Sequence, residues 1–310
     1  APSSSGAPVS PNRMMIILAA LILGFGLPFA VFFLLKMMDN TIKTKADLGR
    51  LSAPFLAEVP KLGKDDYDRS QCKIVVEAGK RDMMNEAFRV LRTNIDLMLG
   101  KKENSHVIMF TSFLPAAGKT FSIMNVAAGM ALKGAKTIIV DLDLRKATLS
   151  ESLNVAHSGV AAYLNGKIDD YHTCVDTIAE NLSVLPIGTL PPNPTELLLT
   201  DRFTSLIESL RGEYDYVFLD CPPIDIVADT QIIEAFADRT LFVIRAGVLE
   251  KSMLPELEDL YKANRFKNMS LILNATTDGG GGRYGYRYGY RYGYRYGSHY
   301  YAYGGGKNKS

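Results

Sequence analysis

Cysteine is scarce in this chain: Cys72, Cys174 and Cys221 are the whole complement of its 310 residues. An odd number of widely spaced thiols fits neither a disulfide framework nor a zinc site, so they read as reduced thiols facing the cytosol, with Cys221 packed and inert. An excess of one charge sign is also missing, because 35 Lys and Arg against 33 Asp and Glu leave a formal net charge of +2. That balance argues against a dedicated nucleic-acid binder. An initiator Met is absent too, and a chain that begins at Ala1 reads as a fragment of something longer. What is plentiful is apolar residue, at 47%, enough to bury a sizeable core in one or two domains.

Between residues 14 and 35 there is no charge at all. At about 1.5 Å rise per residue this run covers a hydrocarbon core of about 30 Å, and Gly24, Gly26 and Pro28 are tolerable within such a helix. The run is too long for the apolar part of a signal peptide and lacks a small-residue cleavage site after it, which favours a transmembrane helix. Arg13 stands alone before the span, whereas Lys36, Lys43, Lys45 and Arg50 follow it. The positive-inside rule therefore puts residues 1–13 outside and the C-terminal side in the cytoplasm. Residues 36–70, with prolines and mixed charges, read as a membrane-proximal linker.

Beyond the linker, apolar runs alternate with amphipathic ones. Residues 106–110, 137–140, 182–185, 216–219, 240–244 and 271–273 read as buried strands, and 119–132, 194–210, 230–236 and 251–264 as helices. This predicts an α/β domain over residues 71–278, a mostly parallel sheet flanked by helices, whose ligands sit in the crevice at the carboxyl ends of the strands. The first strand runs into Ser112-Phe113-Leu114-Pro115-Ala116-Ala117-Gly118-Lys119-Thr120, which opens a helix. By context this is a phosphate loop of the P-loop NTPase kind, although Phe113 stands where the strict pattern has its first glycine. Backbone N–H groups would wrap a phosphate, Lys119 would reach the β and γ oxygens, and Thr120 would ligate Mg²⁺. Asp141 and Asp143 close the second strand and Asp220 the fourth. Carboxylates gathered in one crevice are costly without a cation, which Mg²⁺ would supply.

The tail has its own pattern. After Gly279 to Gly282, tyrosine falls on every second position at Tyr284, Tyr286, Tyr288, Tyr290, Tyr292, Tyr294 and Tyr296, and Tyr300, Tyr301 and Tyr303 follow. Gly and four regularly spaced arginines fill the gaps, so the alternation has no apolar face to bury, and residues 279–310 are expected to stay solvated. Alone, such a tract fits a self-associating or RNA-binding segment as well as a store of phosphate-accepting hydroxyls.

These residues together resemble the bacterial tyrosine kinase family, the cytoplasmic half of Wzc-type polysaccharide co-polymerases. Ser112-x-x-Pro115-x-x-Gly118-Lys119-Thr120 resembles its Walker A motif, 138–145 its Walker A′ motif, and 217–223 its Walker B motif. Glu86-x-x-Arg89-x-x-Arg92 matches its E-x-x-R-x-x-R helix, and the terminal tyrosine cluster completes the set. Asp39-x-x-Ile42-Lys43-Thr44 and Pro60-x-Leu-Gly63 are similar as well. Ala116 and Ala117 depart from the family, which usually has Gly and an acidic residue there; alanine fits such a loop if φ stays negative. Partition ATPases share the fold but need a lysine five places before Lys119, where Leu114 sits.

The resemblance implies a protein tyrosine autokinase using ATP and Mg²⁺. Lys119, Asp141, Asp143 and Asp220 are then the catalytic residues, with Thr120, Asp141 and Asp220 on the metal. Ser112, Pro115, Ala116, Ala117, Gly118, Lys119, Thr120 and Phe121 would bind nucleotide, and the tail tyrosines would accept phosphate. Arg145 would pair with the carboxylates or with phosphate, or stand as a surface arginine. Glu86, Arg89 and Arg92 would contact a neighbouring subunit of a ring-shaped homo-oligomer from one solvated helical face. By resemblance the setting is the bacterial inner membrane, with a phosphotyrosine phosphatase and polysaccharide polymerisation and export proteins as partners. A membrane adaptor whose nucleotide site merely gates assembly, without catalysis, is the alternative.

Overall fold

The computed structural model of the chain describes residues 13–49, 51–63, 73–100, 105–153, 158–224 and 228–277. The expected phosphate-accepting tyrosines 284–303, the glycine run 279–282, Arg50 and Cys72 lie outside the described residues. The apolar N-terminal run forms α1 (Arg13–Leu21), a π-helical turn (Ile22–Gly26) and α2 (Leu27–Met38). Its residues from Met14 to Met38 are long and apolar enough to cross a membrane, with a mean hydropathy of 2.6 and none of the window buried. The wide turn has a local cause: Pro28 lacks an N–H, and its ring crowds the carbonyl one turn earlier.

Eight strands form one sheet in the order β1-β8-β7-β2-β6-β3-β5-β4. They are β1 (Phe55–Pro60), β2 (His106–Thr111), β3 (Thr137–Asp141), β4 (Asp176–Ala179), β5 (Leu182–Leu185), β6 (Tyr216–Asp220), β7 (Arg239–Arg245) and β8 (Ser270–Thr276). Every pairing is parallel except β4 with β5. The helices are α3 (Met83–Leu99), α4 (Lys119–Ala131), α5 (Thr148–Leu153), α6 (Val160–Leu164), α7 (Pro194–Leu198), α8 (Asp201–Glu213), α9 (Asp229–Glu234) and α10 (Leu254–Lys262). Alternate residues of the central strands feed two cores. Ile108, Phe110, Ile139 and Phe218 meet Phe88, Leu91 and Ile123 of α3 and α4 on one face. Val107, Met109, Val140 and Leu219 meet Phe203, Leu206 and Leu210 of α8 on the other. Burial on both faces is why these strands read as continuous apolar runs.

Two strands escape the sequence pattern, and one of them moves a boundary. The expected linker 36–70 contains β1, an edge strand parallel to β8 whose Leu56, Ala57 and Val59 are buried. Pro54 and Pro60 disguise it, since prolines are tolerated at strand ends and edges. Upstream, Ile42 is fully buried. Its N–H donates to Leu249 O at 2.8 Å and its carbonyl accepts from Gly247 N at 2.8 Å. Lys251 Nζ reaches Asp47 at 2.7 Å, and Ser52 Oγ donates to Glu258 at 2.6 Å. The domain therefore starts near Thr41 rather than at residue 71. The second missed strand, β4, is half exposed and too short to show a period. The expected helix 194–210 is also two helices, broken at Leu199 and Thr200.

Candidate active site

The loop 112–118 leaves β2 and turns into α4, so its backbone lies at the carboxyl edge of the sheet. Phe113 is 3% exposed and packs edge-on against Phe242, with ring centroids 5.1 Å apart. It anchors the loop to the core beneath, which is how a phenylalanine replaces the glycine of the strict pattern. Gly118 has φ of +90°, and a Cβ there would come within 1.9 Å of Asn274 Nδ2, so only glycine fits. Ala116 corrects an expectation: its φ is +57°, in the left-handed region, where a non-glycine residue costs about 1–2 kcal/mol. Its carbonyl accepts from Arg245 Nη1 at 2.6 Å, and that of Ala117 from Asn274 Nδ2 at 2.9 Å.

Lys119 is buried at the first position of α4. Beside it Thr120 Oγ1 donates to Asp220 Oδ2 at 2.7 Å. Asp141 and Asp220 are register partners at the ends of β3 and β6, and both are buried. Asp141 Oδ2 accepts from Ser150 Oγ at 2.7 Å and Ser150 N at 3.1 Å, while its Oδ1 accepts from Asp143 N at 3.3 Å. Burial, and then the charge of Asp220, hold the Asp141 carboxyl well above the usual carboxylate range. Burial also raises Asp220, against the opposing pull of Lys119 and Thr120. Asp143 is buried nearby. The structure thus brings Lys119, Thr120, Asp141, Asp143 and Asp220 together from three separate stretches of chain.

Among the described residues no three His, Cys, Asp or Glu side chains form a metal cage. Asp220 Oδ1 is nevertheless buried with no hydrogen-bond partner. One hydroxyl, one or two carboxylates and an unpaired oxygen beside a phosphate loop suit Mg²⁺, which takes few protein ligands and completes its shell with phosphate and water. Cys221 is fully buried, and burial raises its thiol pKa well above the ordinary value, consistent with an inert thiol.

Arg145 is drawn elsewhere. Its Nε lies 3.1 Å from Oδ2 of the buried Asp229, whose Oδ1 accepts from Thr195 Oγ1 at 2.6 Å. The paired carboxylate is thus Asp229 rather than Asp141, Asp143 or Asp220. Asp229, Thr195 and Ser150 all escape sequence reasoning. Asp229 meets Arg145 and Thr195 only through the fold, and Ser150 carries no motif, although a hydroxyl nine residues beyond a strand-end aspartate is the one local hint.

Residues 105–262 match the protein family described as AAA domain. The chain is 32% identical to the tyrosine-protein kinase CpsD of Streptococcus agalactiae over 62% of this chain and 84% of that protein. It is 30% identical to the tyrosine-protein kinase wzc of Salmonella typhimurium over 86% of this chain and 39% of that protein. The kinase domain of the Escherichia coli tyrosine kinase ETK superposes with a TM-score of 0.67 at 26% identity, covering 76% of this chain and 96% of that one. The chain belongs to the bacterial tyrosine kinase family. It spans about two fifths of the length of the Wzc-type curated relatives it matches.

In this bacterial tyrosine kinase family member the E-x-x-R-x-x-R helix is α3, and its three residues do not share one environment. Glu86 and Arg89 are exposed and pair with each other. Arg92 is not on that solvated face: it is half-buried and donates from Nη1 to Gly129 O of α4 at 2.7 Å.

Proposed function

We propose that the chain is an ATP-dependent protein tyrosine autokinase that phosphorylates its own C-terminal tyrosines, from one subunit to the next in a homo-oligomer. The observation that carries this reading is the hydrogen bond from Thr120 to Asp220 beside the buried Lys119, with one oxygen of Asp220 left over. Mg²⁺ and ATP, when bound, supply the transferable phosphoryl group and the charge neutralisation that such transfers require. Thr120 and Asp220 would hold the metal, with Asp141 alongside. Lys119 balances charge that develops on the phosphate oxygens, and the N–H groups of 116–120 orient them. Asp141, held by Ser150, would accept or orient the phenol proton as the new P–O bond forms and the bond to the departing oxygen breaks.

The long apolar helix and the lysines that follow it support a bacterial inner-membrane protein with its kinase domain and tail in the cytoplasm. Each added phosphate brings about −1.5 to −2 charges, so a basic tail with ten acceptors would become strongly anionic and loosen the assembly. Through that cycle of assembly and disassembly the protein would regulate polysaccharide polymerisation and export, reset by a phosphotyrosine phosphatase. Incubation of the chain with ATP and Mg²⁺ tests the reading: phosphotyrosine confined to residues 284–303 is expected. Nucleotide binding without any phosphotyrosine would instead make it a non-enzymatic adaptor that gates assembly.

A further inference from the structure

We infer that Arg245 and Asn274 are positioning residues of the phosphate loop, holding two successive loop carbonyls turned away from the nucleotide. This rests on the reading of residues 112–120 as a nucleotide loop. Arg245 ends β7 and Asn274 lies opposite it in β8, as register partners. Their side chains donate to Ala116 O and Ala117 O at 2.6 and 2.9 Å. In a planar trans peptide the carbonyl and the following N–H point in opposite directions. Anchoring these two carbonyls to the sheet therefore turns the N–H groups of Ala117 and Gly118 to the loop's other side, where a phosphate is cradled.

The brace matters more here than it would with glycine at position 116. Ala116 sits at φ of +57°, which an L-residue leaves readily and glycine does not avoid. Without Arg245 the peptide after Ala116 is free to relax toward negative φ, which swings an N–H out of the cradle. Asn274 adds a wall: its Nδ2 occupies the space where a Cβ on residue 118 would fall. Two donors from neighbouring strands thus set the conformation of the loop that leads into Lys119.

The test measures affinity for ADP with Mg²⁺ by calorimetry on the full chain in detergent, with melting temperature read in the absence of nucleotide. Arg245→Ala is expected to weaken ADP binding by about tenfold, the scale of one charge-assisted hydrogen bond, with little change in melting temperature because Arg245 is half-exposed. Arg245→Lys keeps a donor and is expected to retain most of the affinity. In an Ala116→Gly background the same Arg245→Ala change is expected to cost several-fold less, since glycine holds the positive φ unaided. Asn274→Asp replaces the donor by an acceptor facing the Ala117 carbonyl and is expected to weaken binding as well. Unchanged affinity in Arg245→Ala, or an equal loss with and without Ala116→Gly, would overturn the brace while leaving the nucleotide reading intact. No binding by the unsubstituted chain would overturn both.

Discussion

Thr120 and Asp220, 100 residues apart in the chain, meet in a 2.7 Å hydrogen bond at the centre of the crevice. The contact ties the first turn of α4 to the end of β6 and leaves Asp220 Oδ1 buried and unpaired. An unsatisfied buried oxygen costs about 1–3 kcal/mol, more when charged, which suits Asp220 Oδ1 to accept a cation or a donor.

Lys119→Met is expected to abolish tail phosphotyrosine while leaving the fold intact, because Met preserves the buried stem and removes only the cation. Groups of this kind contribute about 2.7–4 kcal/mol of transition-state stabilisation. Antibody detection of phosphotyrosine after ATP addition, beside circular dichroism, checks it; labelling at the normal rate would remove Lys119 from the mechanism.

Asp220→Asn and Asp141→Asn should each raise the Mg²⁺ concentration needed for half-maximal activity, since an amide offers an oxygen without the charge that holds a hard cation. Titration of Mg²⁺ at fixed ATP separates the two. Full activity at limiting Mg²⁺ in either variant would take that carboxylate off the metal.

The clasp around Ile42 predicts a stability effect far from the crevice. Ile42→Ala empties a fully buried position on the segment that follows the apolar helix and is expected to cost about 2–5 kcal/mol. Urea unfolding of the chain in detergent reads this directly, and an unchanged midpoint would mean that residues 39–48 are not part of the folded unit.

His172 gives a pH dependence with a definite sign. Its Nδ1 meets Asp170 at 2.6 Å and its Nε2 meets Glu213 at 3.0 Å, and these contacts, Asp170 first, raise its pKa above 6.5. A raised folded pKa stabilises the fold fully below 6.5 and loses that contribution as pH rises through the raised value. His172→Gln should therefore be less stable than the parent at pH 5 to 6 and indistinguishable from it at pH 9, by denaturant midpoint. A constant difference across that range would show that the contacts act through shape alone.

Glu86→Ala with Arg89→Ala removes two exposed side chains and should leave the monomer folded, yet lower both the assembled mass by light scattering and tail phosphorylation. Arg92→Ala differs, because it strands the Gly129 carbonyl and should also lower the melting temperature. Full phosphorylation of the tail should shift the assembly toward monomer, most clearly at low salt where repulsion is least screened. Equal masses for all forms would sink the ring-and-tail assembly.

Local pattern made most of the domain legible. The six central strands are apolar on both faces, so continuous runs such as 106–110 and 137–140 announced themselves, and the apolar helix, the Lys119 loop and the strand-end aspartates followed from composition and order. The resemblance to bacterial tyrosine kinases rested on the same short motifs. Where pattern was weak it misled: β1 hid between prolines, β4 was half exposed, and Arg92 shared a helical spacing with Glu86 and Arg89 without sharing their exposure.

Which polar groups meet was decided by tertiary structure. Asp229 finds Arg145 and Thr195, Asp141 finds Ser150, and Ala116 and Ala117 find Arg245 and Asn274, over separations from 9 to 157 residues. Periodicity reports how a residue faces its own helix or strand, so the chain alone determined the layers, the long apolar helix and the loop type. It carries no record of what the opposite element presents. A hydrogen bond forms within about 3 Å or not at all, and only the packed sheet brings strand ends and loops to that distance.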